Sequence, residues 1–154
     1  MTERDGEGNI LSQTYDKNGN LKTETDPLGN STTYTYDKLN RLTAVKDALG
    51  VTTGYEYDAN GNKLKETDAL GNTTSYTYDG NNQLSKVTDV NSNVTQYVYN
   101  KMGQQTKTTD ALRKSTTYIY DKNGNQTKVT NALGYSTSYT YDSLNRMHRE
   151  GCQG

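Results

Sequence analysis

Residues 29–42 read GNSTTYTYDKLNRL, and this stretch predicts the local fold of the chain. Thr and Tyr alternate over residues 32–36 with a period of two, which is typical of a β-strand with one half-buried face. Residues 37–40 (DKLN) are turn formers, and residues 41–46 (RLTAVK) then favour a second strand. The stretch therefore predicts one β-hairpin.

The same pattern returns every 21 residues along the chain. Tyr-Asp, once Tyr-Asn, begins at seven equally spaced tyrosines: Tyr15, Tyr36, Tyr57, Tyr78, Tyr99, Tyr120 and Tyr141. A second turn marker, Asp-x-Leu-Gly, keeps the same spacing and is degraded only at residues 89–92 and 110–113. Seven repeats fill residues 5–151 without insertion, after a lead-in at 1–4 and before a tail at 152–154. We predict about fourteen short strands in an all-β, repetitive antiparallel β-hairpin ribbon.

Two columns of tyrosines are the main candidate structural residues. They lie at Tyr34, Tyr36, Tyr55, Tyr57, Tyr76, Tyr78, Tyr97, Tyr99, Tyr118, Tyr120, Tyr139 and Tyr141, and the alternation places them on one face of the sheet. The other face is mostly polar. Tyr supplies a large apolar area while its hydroxyl stays hydrogen-bonded, so these columns can stabilise a wall one sheet thick.

Two sets of candidate turn residues separate the strands. They are Asp16 with Gly19, Asp58 with Gly61 and Asp121 with Gly124 in the Asp-x-Asn-Gly turns, and Asp26 with Gly29 and Asp68 with Gly71 in the Asp-x-Leu-Gly turns. Asn-Gly after an Asp predicts a tight hairpin turn, because Asn and Gly tolerate the positive φ that such a turn demands. We expect the open sheet to twist and curl into an open spiral, tube or shell wall. A parallel β-roll, with one coil per repeat, is the alternative.

Composition excludes several classes of function. Only 29% of the residues are hydrophobic, Phe and Trp are absent, and the net charge is −1, so no overall field attracts nucleic acid. No apolar run approaches the roughly 20 residues that cross a membrane, and the start lacks the apolar core of a signal peptide. With His148 and Cys152 as the only residues of their kinds, we predict no enzyme, no catalytic residue, no cofactor and no metal site.

Three further patterns suggest chemistry but have simpler explanations. Asp-x-Asn-Gly-Asn is similar to the start of a calcium loop, yet no Glu stands at the twelfth position, and turn chemistry accounts for it. Glu24 and Glu66 share a position in the repeat that holds Val45, Val87, Thr108 and Val129 in other repeats, which indicates variation of a strand surface and not an acid/base pair. The Tyr and Asn/Gln columns suggest glycan binding, but we favour a role in holding the sheet together.

Residues 29–42 resemble a YD repeat of the RHS (rearrangement hotspot) family, whose units read Gly, then Tyr-x-Tyr-Asp, then Gly-Arg-Leu and Asp-Pro-x-Gly. The resemblance implies a ribbon of antiparallel hairpins that spirals into a hollow shell. Family shells enclose a toxin in bacterial toxins and form a barrel in teneurins, and wall-associated relatives have been linked to carbohydrate binding. The self-cleaving Pro-x-x-x-x-Asp-Pro-x-Gly motif is missing because Pro27 is the only proline. Neither self-cleavage nor a toxin is therefore expected here.

We expect a non-enzymatic structural protein of bacterial origin, extracellular or at the cell surface. Fourteen strands are too few to close a shell, and open strand edges pair readily with other chains. We therefore predict head-to-tail association with copies of itself into a filament or tube. The alternatives are a fragment of a toxin-encapsulating RHS shell and a carbohydrate-binding adhesion module.

Overall fold

The computed structural model describes the backbone of residues 2–4 and 10–153 and the side chains of residues 11–147. The described residues form fifteen strands and no helix, so none of them offers a helix long and apolar enough to cross a membrane. The strands are β1 (Thr2–Arg4), β2 (Ile10–Tyr15), β3 (Leu21–Thr25), β4 (Ser31–Tyr36), β5 (Leu42–Lys46), β6 (Thr52–Tyr57), β7 (Lys63–Thr67), β8 (Thr73–Tyr78), β9 (Leu84–Thr88), β10 (Val94–Tyr99), β11 (Gln105–Thr109), β12 (Ser115–Tyr120), β13 (Gln126–Thr130), β14 (Ser136–Tyr141) and β15 (Met147–Gln153). The predicted all-β class is confirmed. The turn marker predicted at residues 5–8 lies outside the described residues.

The chain divides into two compact units, Met1–Ser75 and Tyr76–Gly154. In the first unit, β1 to β7 pair in chain order and residues 73–75 of β8 pair with β7. In the second unit, β9 to β15 also pair in chain order. Every pairing within a unit is antiparallel; in β4–β5, for example, Tyr34 faces Val45. The hairpin ribbon is confirmed, and the parallel β-roll is wrong because strands pair with their sequence neighbours.

Among the described residues, one turn geometry occurs thirteen times, at alternate spacings of 10 and 11 residues. At residues 37–41, the N–H of Asn40 donates to Asp37 O (3.1 Å) and the N–H of Asp37 donates to Arg41 O (3.0 Å). This is a three-residue hairpin loop closed by one residue with a positive φ. The Asp-x-Asn-Gly and Asp-x-Leu-Gly sequences therefore build the same turn.

The fourth residue of each turn is the one with a positive φ. Glycine fills this position at eight turns, with φ between 79° and 92°, and Asn40 is one of five non-glycine residues there. In the Asn-Gly turn at residues 16–20, Gly19 has the positive φ and Asn18 does not. A three-residue loop has a single left-handed position, and it is the last one.

Each pairing of a six-residue strand with the five-residue strand that follows it contains one extra residue. In β4–β5, Thr35 faces Ala44 but Tyr36 faces Leu42, which leaves Thr43 as a β-bulge. The equivalent bulges for which a register is defined lie at Lys22, Leu64, Thr106 and Thr127. The bulge explains how strands of unequal length alternate without losing register.

The sheet has no core of buried side chains. Among residues 11–147, no side chain is fully buried, and the tyrosines of both columns are half-buried. The most exposed apolar residues are the leucines at the tips of the Asp-x-Leu-Gly turns, such as Leu28 (88%) and Leu49 (89%). Stability must therefore come from the sheet pairings and from the polar contacts at their ends.

Candidate functional site

The first residue of each described turn, an aspartate in all but two of them, binds the backbone of its own turn through its side chain. In the turn at residues 16–20, Asp16 Oδ1 accepts the N–H groups of Asn18 (2.8 Å) and Asn20 (2.9 Å), and Asp16 Oδ2 accepts Asn20 Nδ2 (3.0 Å). These bonds satisfy two backbone donors that the tight turn would otherwise leave to water. The same arrangement is present at the candidate turn residues Asp26, Asp58, Asp68 and Asp121.

These hydrogen bonds shift the pKa values of the turn carboxyls. The amide of Asn20 lowers the pKa of Asp16 below 3.8, with a smaller opposing effect of desolvation and further lowering by backbone N–H groups. The amide of Asn125 does the same for the pKa of Asp121. Hydrogen bonds to a carboxylate favour its charged form, so these aspartates are ionised well into the acid range.

The turn aspartates do not form a metal centre among the described residues. Both carboxylate oxygens of Asp16 already accept N–H donors, and residues 11–147 contain no cluster of three His, Cys, Asp or Glu side chains that suits a cation. The calcium-like pattern is explained by the turn itself. The side chains of His148 and Cys152 lie outside the described ones.

In four repeats, the second tyrosine of the pair connects its hairpin to the preceding one. Tyr120 in β12 donates its hydroxyl to the carbonyl of Gln105, the first residue of β11, at 2.8 Å. The same bond, always to the residue 15 positions earlier, is made by Tyr57 to Leu42, Tyr99 to Leu84 and Tyr141 to Gln126. The two strands diverge at this end toward different turns, so the tyrosine bridges the gap between them.

Partial burial also shifts the pKa values of tyrosines in the second column. Desolvation raises the pKa of Tyr99 above its ordinary value of 10.0, and the nearby charges of Tyr97 and Asp79 add to the increase. Desolvation similarly raises the pKa of Tyr36 and Tyr120. The neutral hydroxyl is thus favoured, which suits a group whose contact is donation to a carbonyl.

Side-chain amides join neighbouring turns at the Tyr-Asp edge of the ribbon. Asn125 Nδ2 donates to Asn145 Oδ1 (2.9 Å), and Gln104 Nε2 donates to Gly124 O (3.1 Å). Both contacts span 20 residues, from the last residue of one turn to the left-handed residue of the next. Gln83 and Asn20 make the same connection. Several of the many Asn and Gln side chains therefore form a row of hydrogen bonds between neighbouring turns along this edge.

Two tyrosine rings, one from each column, lie beside a cationic side chain. Lys63 Nζ lies 5.7 Å from the ring centroid of Tyr55, and Arg41 stacks on the second-column ring of Tyr57 at 4.9 Å. Such contacts are cation–π interactions. These contacts link Tyr55 and Tyr57 to neighbouring segments of the sheet.

Glu24 and Glu66 are not brought together by the fold. Glu24 in β3 accepts Gln13 Nε2 at 2.8 Å, whereas Glu66 in β7 pairs with Lys63 at 2.6 Å. Each glutamate therefore has its own strand-surface partner. This arrangement provides no acid/base pair.

Sequence reasoning missed the residue that fills each bulge. The hydroxyl of Thr43 donates to Thr35 O (3.1 Å), and Thr127 makes the same bond to Ile119 O (3.3 Å). The signal was present in the sequence, because Thr or Ser stands two residues after the turn in four of the repeats. Because Thr is common throughout the strands, its recurrence at this one position did not stand out.

Comparison with protein families identifies this repeat. The RHS Repeat family matches residues 15–52, 36–73, 57–93, 78–116 and 120–149. The chain belongs to the RHS repeat family. Family membership agrees with the resemblance read from residues 29–42. Comparison with curated protein sequences gave no significant match.

Solved structures share the fold of this RHS chain. The crystal structure of TcdB2-TccC3-Cdc42 aligns with a TM-score of 0.72 at 21% identity, over 86% of this chain and 8% of that one. TcdB2-TccC3 gives 0.71 at 21% identity, over 86% and 9%. The Tc holotoxin pore of Photorhabdus luminescens gives 0.56 at 18% identity, over 94% and 10%. The chain thus spans no more than about a tenth of the structures that it matches.

Proposed function

We propose that this chain is a structural sector of an RHS-type β-sheet wall and has no catalytic role. The observation that carries the proposal is the use of the repeated side chains. Turn aspartates bind their own backbone, tyrosine hydroxyls bind the preceding hairpin, and amides bind the next turn. The conspicuous polar groups of the repeat are thus engaged in holding a sheet together.

The comparisons support a sector of a larger wall in preference to a free-standing filament. A fold shared with a small part of TcdB2-TccC3 agrees with a role as one stretch of a longer ribbon. Since the RHS resemblance implies shells that enclose a toxin, we propose that the wall surrounds a cargo. We further propose that the protein is bacterial and is secreted or held at the cell surface.

Self-association is the second candidate, and one observation favours it. Strand β15 pairs with β14 over residues 136–141 and pairs with no other described strand. An open strand edge can accept a strand of another chain. A copy of the same chain would be a suitable partner, because its strands have the same length and spacing.

Cryo-electron microscopy of the assembly purified through a tag on this chain tests both candidates. A wall sector predicts a β-sheet shell around a cavity, in which the chain accounts for a limited arc. Polymers built from this chain alone would support self-association instead. Compact particles of a single chain, with no sheet neighbour on either side, would contradict both proposals.

A further inference from the structure

The most exposed large apolar side chains described in the first unit lie at the tips of its Asp-x-Leu-Gly turns. Leu28, Leu49 and Leu70 are 88%, 89% and 85% exposed. A proline or an alanine precedes each of them, and the three turns contain no Lys or Arg. We call this set of turns the leucine edge; it comprises residues 26–30, 47–51 and 68–72.

The turn itself does not require leucine at its third position. Asn18 and Asn60 hold this position in turns of the same geometry. Their backbone N–H groups are bound by the turn aspartate just as that of Leu28 is. The exposed leucines also bury little surface against their own chain. Apolar side chains that neither form the turn nor pack within the fold are typical of an interaction surface.

The Tyr-Asp edge of the first unit is more polar. Its turns hold Lys17 and Lys38 at the second position and Asn18 and Asn60 at the third. Leu39 is its one large apolar tip among the described residues, and it is 65% exposed. An apolar partner therefore suits the leucine edge better than the opposite edge.

The leucine edge repeats at a fixed interval. Successive tips are separated by two paired strands, which corresponds to about 10 Å. The turn aspartate holds the backbone of each tip, so little order has to be created when a partner binds. A Cβ placed on Gly29 or Gly71 would meet nothing within 4 Å, so the space beside the two outer tips is open. A matching partner therefore presents apolar groups about 10 Å apart.

Two charged groups at the middle turn lack an ion-pair partner among the described residues. In the flanking turns an asparagine amide donates to the second carboxylate oxygen, as Asn30 Nδ2 does to Asp26 Oδ2 at 2.7 Å. Val51 replaces that asparagine in the middle turn, so the described donors to Asp47 all reach Oδ1 and leave Oδ2 open. Lys46 forms no ion pair with the described residues, and its Cε lies 3.7 Å from the point that a Cβ on the turn glycine would occupy. The middle turn thus combines a cation with an open carboxylate oxygen.

We propose that the leucine edge binds the leucine edge of a second copy of this chain, with the two rows antiparallel about a two-fold axis. The axis passes beside the middle turn, so Leu49 packs on its counterpart and Leu28 packs on Leu70 of the other copy. Lys46 of each copy then pairs with Asp47 of the other, which gives two ion pairs. A two-fold contact requires a surface that complements itself, and an evenly spaced row with one cation and one carboxylate at its centre meets that requirement.

This contact is separate from the pairing of open strand edges. It uses the tips of turns, so it joins two ribbons side by side and not end to end. It also does not depend on whether the chain is a sector of a larger wall, because it rests on side chains that the single chain leaves exposed.

Analytical ultracentrifugation of the whole chain over a range of concentrations tests the leucine edge. We expect a monomer–dimer equilibrium whose dissociation constant rises at least about tenfold in the variant L28N/L49N/L70N, because apolar burial is lost. Asn is compatible with this turn, so the melting temperature should stay the same. The matched control L39N/M102N/L144N changes the same turn position at the Tyr-Asp edge and should dimerise as the unaltered chain does.

Several results would overturn the proposal. A chain that stays monomeric at all concentrations would do so, as would equal weakening in both triple variants. Association that survives in L28N/L49N/L70N would also overturn it and would assign the contact to the strand edges. Binding of a monomeric chain to phosphatidylcholine vesicles through the same leucines would replace the second copy by a lipid surface.

The variant K46T tests the two-fold arrangement. Thr ends each of the other described five-residue strands, so we expect the variant to fold normally. Its dimer should be weaker and should lose most of its dependence on salt, because the two ion pairs are gone. The control K86T removes a strand lysine from the second unit and should leave the dimer unchanged. An unaltered dimer in K46T would overturn the two-fold arrangement.

Discussion

A single hydroxyl group distinguishes Tyr from Phe, and this chain contains 14 of the former and none of the latter. The structure explains the preference at the second tyrosine of four repeats. Tyr57, Tyr99, Tyr120 and Tyr141 each donate to a carbonyl of the preceding strand. Phe would fill the same space and leave that carbonyl without its partner. The hydrogen bond of the hydroxyl thus explains why Tyr and not Phe stands at these positions.

Replacing Tyr120 by Phe should therefore destabilise the fold. We expect a loss of about 1 kcal/mol in the free energy of unfolding, the usual value of one such hydrogen bond. Urea denaturation measures it. The control is Tyr118→Phe in the same strand, for which no bond of the hydroxyl is described, and which should change stability little. Equal effects of the two substitutions would show that the hydroxyl bond of Tyr120 is not the cause.

The turn aspartates predict how stability depends on pH. Their pKa values lie below 3.8 in the folded chain, so their contribution is present above pH 3.8 and is lost as the pH falls through the folded-state values. We expect a melting temperature that is steady from about pH 7 to 5 and that falls below about pH 4. Thermal denaturation followed by circular dichroism measures this dependence.

A variant with neutral turn residues tests the cause of the acid sensitivity. Asn100 and Asn131 show that an amide oxygen can accept the same two backbone N–H groups as an aspartate. The variant D16N/D58N/D121N should therefore fold, melt at a lower temperature at pH 7 and lose less stability in acid. If the melting temperature of this variant falls in acid as much as that of the unaltered chain, other carboxyls cause the acid sensitivity.

At the scale of elements, the sequence predicted most strands but not the details of their ends. The Thr-Tyr alternation was enough for β4, yet the predicted strand at 41–46 begins one residue later, at Leu42, and its equivalent β9 begins at Leu84. Arg41 and Gln83 close the turns instead. The bulges could not be predicted because they depend on the register of two strands, which local patterns do not define.

The bulge hydroxyl should contribute measurably to the hairpin. Thr127→Val keeps the shape of the side chain but removes the bond to Ile119 O, and we expect a loss of about 1 kcal/mol. The converse variant is Leu64→Thr, at a bulge that lacks a hydroxyl, and it should gain stability. Guanidinium denaturation compares the two. A stabilising Thr127→Val would contradict this role of the hydroxyl.

At the scale of the whole molecule, the unusual composition is explained by the position that each residue type occupies in the repeat. Tyr and Thr form the strands, Asp and Gly the turns, and Asn and Gln the connections between turns. The low hydrophobic content agrees with a sheet in which none of the side chains at 11–147 is fully buried.

A repeat protein should tolerate the removal of one complete unit. Deletion of residues 100–120 joins Tyr99 to Asp121 in register, and we expect a folded chain with a moderately lower melting temperature. Deletion of residues 100–119 removes one residue fewer and displaces the side-chain alternation, so it should destabilise far more. Circular dichroism melting distinguishes them. Equal stability of both deletions would contradict a strict 21-residue register.

Backbone nuclear Overhauser contacts of the isotope-labelled chain test the hairpin ribbon most directly, because both functional proposals depend on it. The ribbon predicts that Thr117 lies beside Lys107 on one side and beside Thr130 on the other. Contacts of Thr117 with Gln96 and Ser138, each 21 residues away, would instead show the coils of a parallel roll and would contradict the account.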